Sequence, residues 1–196
     1  IGSVLGNALA VTRIGTKAVV FVGLLMLTAA FAWVATVSVD VSYLEVALQM
    51  VLLGGGLGLT TAPATDSIMG VVKPEQAGAG SAVNDATRQI GCTLGVAVIG
   101  SIFSTLYINR LADSTALQAL PQAAQDTARD GLAQGLAVAA QSPPPVAGAL
   151  RDNVSDAFMS GLHAGCLTAA AVCLAGALFV LAFLPAHPEG SRSETH

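Results

Sequence analysis

Four strongly apolar stretches of this chain that carry no Asp, Glu, Lys or Arg read as spans: Ala18–Val39, Val46–Thr65, Gln89–Asn109 and Ala157–Pro188. Each reaches roughly 20 residues or more, the length an α-helix needs to cross a bilayer core of about 30 Å. Backbone amides cannot stay unpaired in lipid, so these runs are predicted as helices. A β-barrel is disfavoured, because barrel strands alternate polar and apolar residues and these runs do not. A fifth apolar stretch, Ile1–Thr12, is too short to span. The first residue is Ile rather than Met, so Ile1 is expected to lie midway through a span and the chain to be a fragment. The pattern thus predicts an all-α polytopic membrane bundle of about four full spans and a truncated one. The truncated helix occupies 1–12 and the spans 18–38, 44–66, 80–107 and 157–184. An inner loop covers 67–79, a long outer loop 108–156, and a cytoplasmic tail 185–196.

The connections suggest an orientation. The first turn holds Arg13 and Lys17 and the third holds Lys73, whereas the second holds Asp40 and no base. Positive charge favours the cytoplasmic side, which places the first and third turns and the tail inside. Arg110, Arg129 and Arg151, in the long loop expected outside, run against that bias. The loop is rich in Ala and Gln, with helical composition over Leu111–Ala140 interrupted at Pro121. One or two short surface helices are expected there, then a flexible joint where Pro143–Pro145 breaks any helix. Val146–Asp156 is expected to lead into the last span, and the polar tail to be disordered.

Composition strengthens the membrane reading. The chain is 54% hydrophobic and 10% charged, against about 25% charged residues in an ordinary soluble domain. Its mean hydropathy is +0.70. The net charge of −4 and the lack of a basic patch give no nucleic-acid signal. Cys92, Cys166 and Cys173 fall inside predicted spans, with neither disulfide nor metal spacing, and read as small packing residues. No catalytic motif and no Walker A loop is present. The expectation is therefore a non-enzyme without metal or cofactor, and an ion gradient rather than ATP if the protein pumps.

Several residues stand out within this frame. Gly2/Gly6, Gly54/Gly58, Gly91/Gly95 and Gly161/Gly165 form GxxxG pairs, which let membrane helices approach closely. Gly54 and Gly58 fall mid-span, and Pro63 can kink the end of the same helix. Asp85 and Arg88 lie one helical turn apart, and Asp66 ends the preceding run. Two readings stand for these charges. They end the spans at the headgroups, or they form a charge network at a pore mouth, where intramembrane charges mark ion and proton pathways. In the second reading Asp66 carries the proton, Arg88 is the counter-charge and Asn84 bonds across helices. His163 opens the last span and reads as interfacial packing or a proton relay. Trp33, Tyr43 and Tyr107 fit an aromatic belt.

The block Gly54–Ile102 resembles the major facilitator superfamily, and most closely its fourteen-span drug:proton antiporter branch of the EmrB/QacA type. In that branch a Gly-rich helix ends in a proline-containing turn, and a G-S-A-x-N-x-x-x-R-Q-x-G run opens the next. Here that run is Gly80, Ser81, Ala82, Asn84, Arg88, Gln89 and Gly91. The first turn is similar to the family's inner-loop motif, of which Arg13, Gly15 and Lys17 remain, with Thr12 where an acid is usual. The long outer loop and the residues opening the last span also look like this branch.

The resemblance implies two helical halves around a central cavity that rock in alternating access. This chain would be most of the second half, in a bacterial inner membrane. It would work with a missing N-terminal half, the lipid bilayer, protons and a small-molecule substrate. The function implied is proton-coupled efflux of hydrophobic or cationic drugs. The alternatives are a facilitator-type carrier for another metabolite or a self-produced antibiotic and, in a different class, a non-transporting scaffold or receptor subunit.

Overall fold

The computed structural model describes residues 15–38, 41–69 and 72–183. The expected truncated helix 1–12, with Gly2 and Gly6, lies outside these residues, as do Arg13, Asp40 and the tail 185–196. Every regular element described is helical. In chain order these are α1 (Thr16–Val34), α2 (Tyr43–Met69), a 3₁₀ turn (Pro74–Gln76), α3 (Ala77–Ala112), α4 (Thr115–Gln118), α5 (Gln122–Arg129), α6 (Leu132–Gln141) and α7 (Pro144–Phe183). Among the described residues α1, α2, α3 and α7 are long and apolar enough to cross a membrane.

The long helices do not stop where charge reappears. α3 has 36 residues and α7 has 40, so at 1.5 Å per residue they run about 54 and 60 Å, against a hydrocarbon core of about 30 Å. α1 ends at Val34 rather than at 38, whereas α7 begins at Pro144 rather than 157. The proline run is therefore no flexible joint. The Pro143 carbonyl accepts from the Val146 and Ala147 amides, each at 2.9 Å. Pro144 sits in the first turn, where its fixed φ suits a helix and its missing N–H would have no helical partner.

Two compact units emerge. One comprises α1, α2, the N-terminal part of α3 to Gly95 and the C-terminal part of α7 from Ala169. Its helices are held by shape. α1 and α2 cross most closely at Gly23 and Gly56: a Cβ on Gly56 would lie 2.9 Å from the Gly23 carbonyl oxygen and 2.9 Å from Leu27 Cγ. The paired Gly54 and Gly58 make no such approach, since a Cβ on either would meet nothing within 4 Å. Gly91 and Gly95 of α3 are equally open. Pro63 is buried inside α2, and the helix continues through it to Met69. Threonine hydroxyls hide in their own helices. Thr28 donates to Leu24 O, Thr60 to Gly56 O, Thr61 to Leu57 O, Thr65 to Thr61 O, Thr87 to Val83 O and Thr93 to Gln89 O, all at 2.8–3.0 Å. An apolar surrounding leaves a hydroxyl few better choices.

The second unit, 35–41 and 96–168, replaces the expected loop with a folded helical cap. Tyr107, Leu111, Leu117, Ala128, Ala139, Leu150, Val154 and Ala157 form its buried core. Pro121 interrupts the helices as its sequence suggests and caps α5, while Gly131, at φ 153°, makes a second break before α6. Ser114 accepts from the Leu117 amide at 3.3 Å, capping α4, and receives Asn153 Nδ2 at 2.8 Å. Tyr107 is no belt residue: it is 2% exposed and its hydroxyl donates to Ala128 O at 2.9 Å. The Gly161/Gly165 pair does seat a crossing. A Cβ on Gly161 would come 3.0 Å from the Phe103 carbonyl oxygen, and one on Gly165 3.2 Å from Ile99 Cγ2.

Two variants test these contacts. Gly56→Ala should destabilise the purified chain in detergent by about 1–3 kcal/mol, the range for overpacking, whereas Gly54→Ala should not. Equal effects in a detergent-unfolding titration would dismiss the α1/α2 crossing. Tyr107→Phe leaves the buried Ala128 carbonyl unpaired and should cost about 1–3 kcal/mol, read as faster amide exchange across α5 and α6. Unchanged exchange there would remove the hydroxyl as an anchor of the cap.

Candidate functional site

The exposed N-terminal part of α3 carries most of the residues singled out by sequence. It is entered through a tight turn. A Cβ on Gly80 would lie 2.9 Å from Val72 Cγ2, so glycine lets the helix start against the preceding segment. From there Val83, Ile90, Leu94 and Val96 are all exposed. An apolar helix open on every side in this chain has its partners, protein or lipid, elsewhere.

One stripe on this helix differs. Asn84, Arg88, Gly91 and Gly95 follow at intervals of four, three and four residues. At 100° per residue they fall within about 60° of one another, on a single face. Small and polar side chains thus share one line while bulky apolar ones surround it. Asp85 sits about 100° from Asn84 around the helix, beside the stripe rather than in it.

The three charges are not drawn together. Asp66 is exposed at the end of α2, and Asp85 and Arg88 are exposed on α3. Among the described residues the one ion pair is Arg129–Asp126 in the cap, at 3.2 Å, and none joins Asp66, Asp85 and Arg88. The i, i+3 spacing of Asp85 and Arg88 puts them on neighbouring positions without a bridge. Gly15 opens α1 at φ 86°, a left-handed conformation that favours glycine, and its carbonyl accepts from the Val19 amide at 3.4 Å. Lys17 lies in the first turn of α1, half-buried. Gly15 thus has a backbone reason to be glycine.

Two further polar groups matter. Gln49, in the apolar run of α2, is buried and its Nε2 has no hydrogen-bond partner. Sequence reasoning passed over it because it followed charge, and a neutral amide leaves a charge-free run intact. An unpaired amide in such a place is costly. His163 Nε2 lies 2.8 Å from Val37 O, tying α7 to the segment after α1. That is a structural tie: the carbonyl only accepts, so it holds with the N–H on Nε2. Among the described residues no cluster of His, Cys, Asp and Glu fits a metal ion, and Cys92, Cys166 and Cys173 are free thiols.

Four apolar helices of this kind make the chain a multi-pass membrane protein. No protein-family model matches it. Among curated proteins it is similar to the multidrug efflux pump LfrA of Mycolicibacterium smegmatis, 26% identical over 171 residues, covering 87% of this chain and 33% of the relative. The tetracenomycin C resistance and export protein of Streptomyces glaucescens is 30% identical over 196 residues, covering 96% and 36%. The multidrug transporter protein MdtP of Bacillus subtilis is 27% identical over 209 residues, covering 99% and 38%. The chain thus spans about a third of the length of the curated relatives it matches.

Proposed function

We propose that this chain is part of a secondary active exporter of the major facilitator type, driven by protons and moving hydrophobic or cationic small molecules by alternating access. The observation that carries the reading is its alignment, over 87–99% of its length, with three proteins named for efflux, export or multidrug transport. On that reading the chain works with the spans that its relatives carry outside the matched third. The polar stripe of α3 then faces those spans or the path between them. Fold alone does not fix function, but the stripe suits it: glycines for a sliding or rocking contact and one cation beside them.

Asp66 is proposed as the carboxylate that takes up and releases the proton, with Arg88 as its counter-charge or that of Asp85. Neither pair is formed in the structure described; Asp85 and Arg88 share α3 and need only a change of side-chain rotamer, whereas an Asp66–Arg88 pair requires α2 and α3 to change their approach during the cycle. That is what alternating access demands of residues at the ends of spans.

A second reading has its own support. The relative from S. glaucescens is named for one compound, tetracenomycin C, which favours a dedicated exporter of a single compound over a multidrug pump. A substrate panel separates the two: many unrelated cations carried mean the first, one compound the second.

The mechanism is tested in proteoliposomes holding the whole transporter. Asp66→Asn should slow efflux driven by a pH gradient at least tenfold, about 1.4 kcal/mol of barrier, while leaving membrane insertion intact. Unchanged efflux would remove Asp66 from coupling. Arg88→Ala should inactivate; removing Asp85 as well should restore part of the activity if Asp85 is the partner, whereas removing Asp66 as well should restore stability in detergent but not pH-driven efflux if Asp66 is. A double-mutant cycle with no interaction energy for either Asp66 or Asp85 would reject the pairing.

A further inference from the structure

α1 and α2 meet along a regular seam. On α1 the buried positions Thr16, Val20, Gly23, Leu27 and Ala30 recur at intervals of four and three residues. On α2 Gln49, Gly56 and Pro63 are buried at intervals of seven, which puts all three on one face. The middle of the seam is tight. A Cβ on Gly56 would press on the Gly23 carbonyl oxygen and on Leu27, each 2.9 Å away, and one on Gly55 would lie 3.2 Å from Met26 Cε. The helices run antiparallel, since Gly23 faces both Gly56 and Thr60 while Leu27 faces Gly56. Gln49, seven residues before Gly56, therefore stands level with Ala30 and Val34, which lie seven after Gly23 and Leu27.

The two ends of this seam differ in chemistry. At one end Val19, Val20 and Pro63 close it with buried apolar surface. At the other it buries an amide. Gln49 is 3% exposed, level with the fully buried methyl of Ala30. Among the described residues of this unit, Gln49 Nε2 is the one buried side-chain nitrogen or oxygen without a hydrogen-bond partner. A donor held so carries its full desolvation cost. That cost vanishes when the seam parts there and a polar group or water reaches the amide. Val34 is also the last residue of α1, and helix ends open at lower free energy than helix middles.

We propose that the contact between α1 and α2 opens from its Gln49 end, pivoting on the Gly23/Gly56 crossing, and that Gln49 sets how often it opens. The unpaired amide weakens the closed seam at that end alone. Opening admits water to Ala30 and Gln49 while Val20 and Pro63 stay sealed. The inference rests on the contact of α1 with α2 and does not depend on transport.

The test uses the full chain in lipid nanodiscs, carrying Cys92→Ala, Cys166→Ala and Cys173→Ala so that a single introduced thiol reports. Ala30→Cys and Val20→Cys each place that thiol in the buried seam, four residues from an end of α1. A maleimide reacts with the thiolate, which forms only where water enters. The thiol of Ala30→Cys should react about tenfold faster than that of Val20→Cys, because local opening exposes it. Adding Gln49→Leu should slow the first about fivefold or more, the low end of what an unpaired buried donor costs, and leave the second unchanged. Circular dichroism and the thermal midpoint check folding, and Gln49→Leu should raise the midpoint. Should Ala30→Cys not fold, amide exchange in the last turns of α1 carries the test, and Gln49→Leu should slow it. Equal rates for the two thiols overturn the proposal, as does thiol reaction or amide exchange that Gln49→Leu leaves unchanged. A lowered midpoint in Gln49→Leu overturns it too, since the amide would then be satisfied in the closed seam.

Discussion

Inside a bilayer a backbone amide has no water to bond, and everything in the long helices follows from that. It makes helices of the charge-free runs whatever their propensity, glycines and Pro63 included. It also turns the threonine hydroxyls back onto carbonyls four residues earlier in their own helices, from Thr28 to Thr93. Once each helix has satisfied its own polar groups, little is left to attract one helix to another except fit. The contacts are accordingly made where a side chain is missing. Gly23 meets Gly56, and Gly161 and Gly165 receive Phe103 and Ile99. An alanine methyl at Gly23, Gly56 or Gly161 would enter space another atom holds, and one at Gly165 would press on Ile99.

Where α3 and α7 pack against the short helices α4, α5 and α6, a second rule operates. Water satisfies exposed amides, so apolar burial becomes the organising force again. α3 and α7 run on past their charge-free stretches and supply the framework for a cap, with Tyr107, Leu111, Leu150 and Val154 facing α4, α5 and α6. Polar contacts then specify the packing. The Tyr107 hydroxyl on Ala128 O and Asn153 on Ser114 each join residues distant in sequence. One chain thus makes two kinds of contact, fitted by shape where a side chain is missing and held by burial and hydrogen bonds around Tyr107 and Asn153.

This division explains what the sequence disclosed. A run without charge is a local property, so the long helices were legible, and so was the Gly161/Gly165 pair. The cap was not. Its core draws Tyr107 and Leu111 from the end of one predicted span, Leu150 and Val154 from the approach to another, and alanines from between. No window along the chain contains that pattern. Pro143–Pro145 read as a break because proline ends helices, yet it also begins them, and only the capping carbonyl of Pro143 decides between the two. Gly23 and Gly56 escaped because they pair across helices and neither belongs to a GxxxG within its own. Gln49 escaped because charge was the guide and an amide has none.

The candidate site is legible in a different sense. Asn84, Arg88, Gly91 and Gly95 share a face by spacing alone, yet that face makes no contact at its glycines within the described chain. A helix as apolar as α3 gains nothing from holding a guanidinium and a line of glycines toward lipid. Lipid would favour the reverse, with bulk outward and charge withdrawn. On the proposed reading Gly91 and Gly95 belong to a surface shaped for another helix, and Arg88 to one that supplies an anion or water. Asp85, about 100° away from Asn84 around the same helix, would then stand at the edge of that contact rather than in it. On the proposed transport reading this favours Asp66, on α2, over Asp85 as the counter-charge of Arg88.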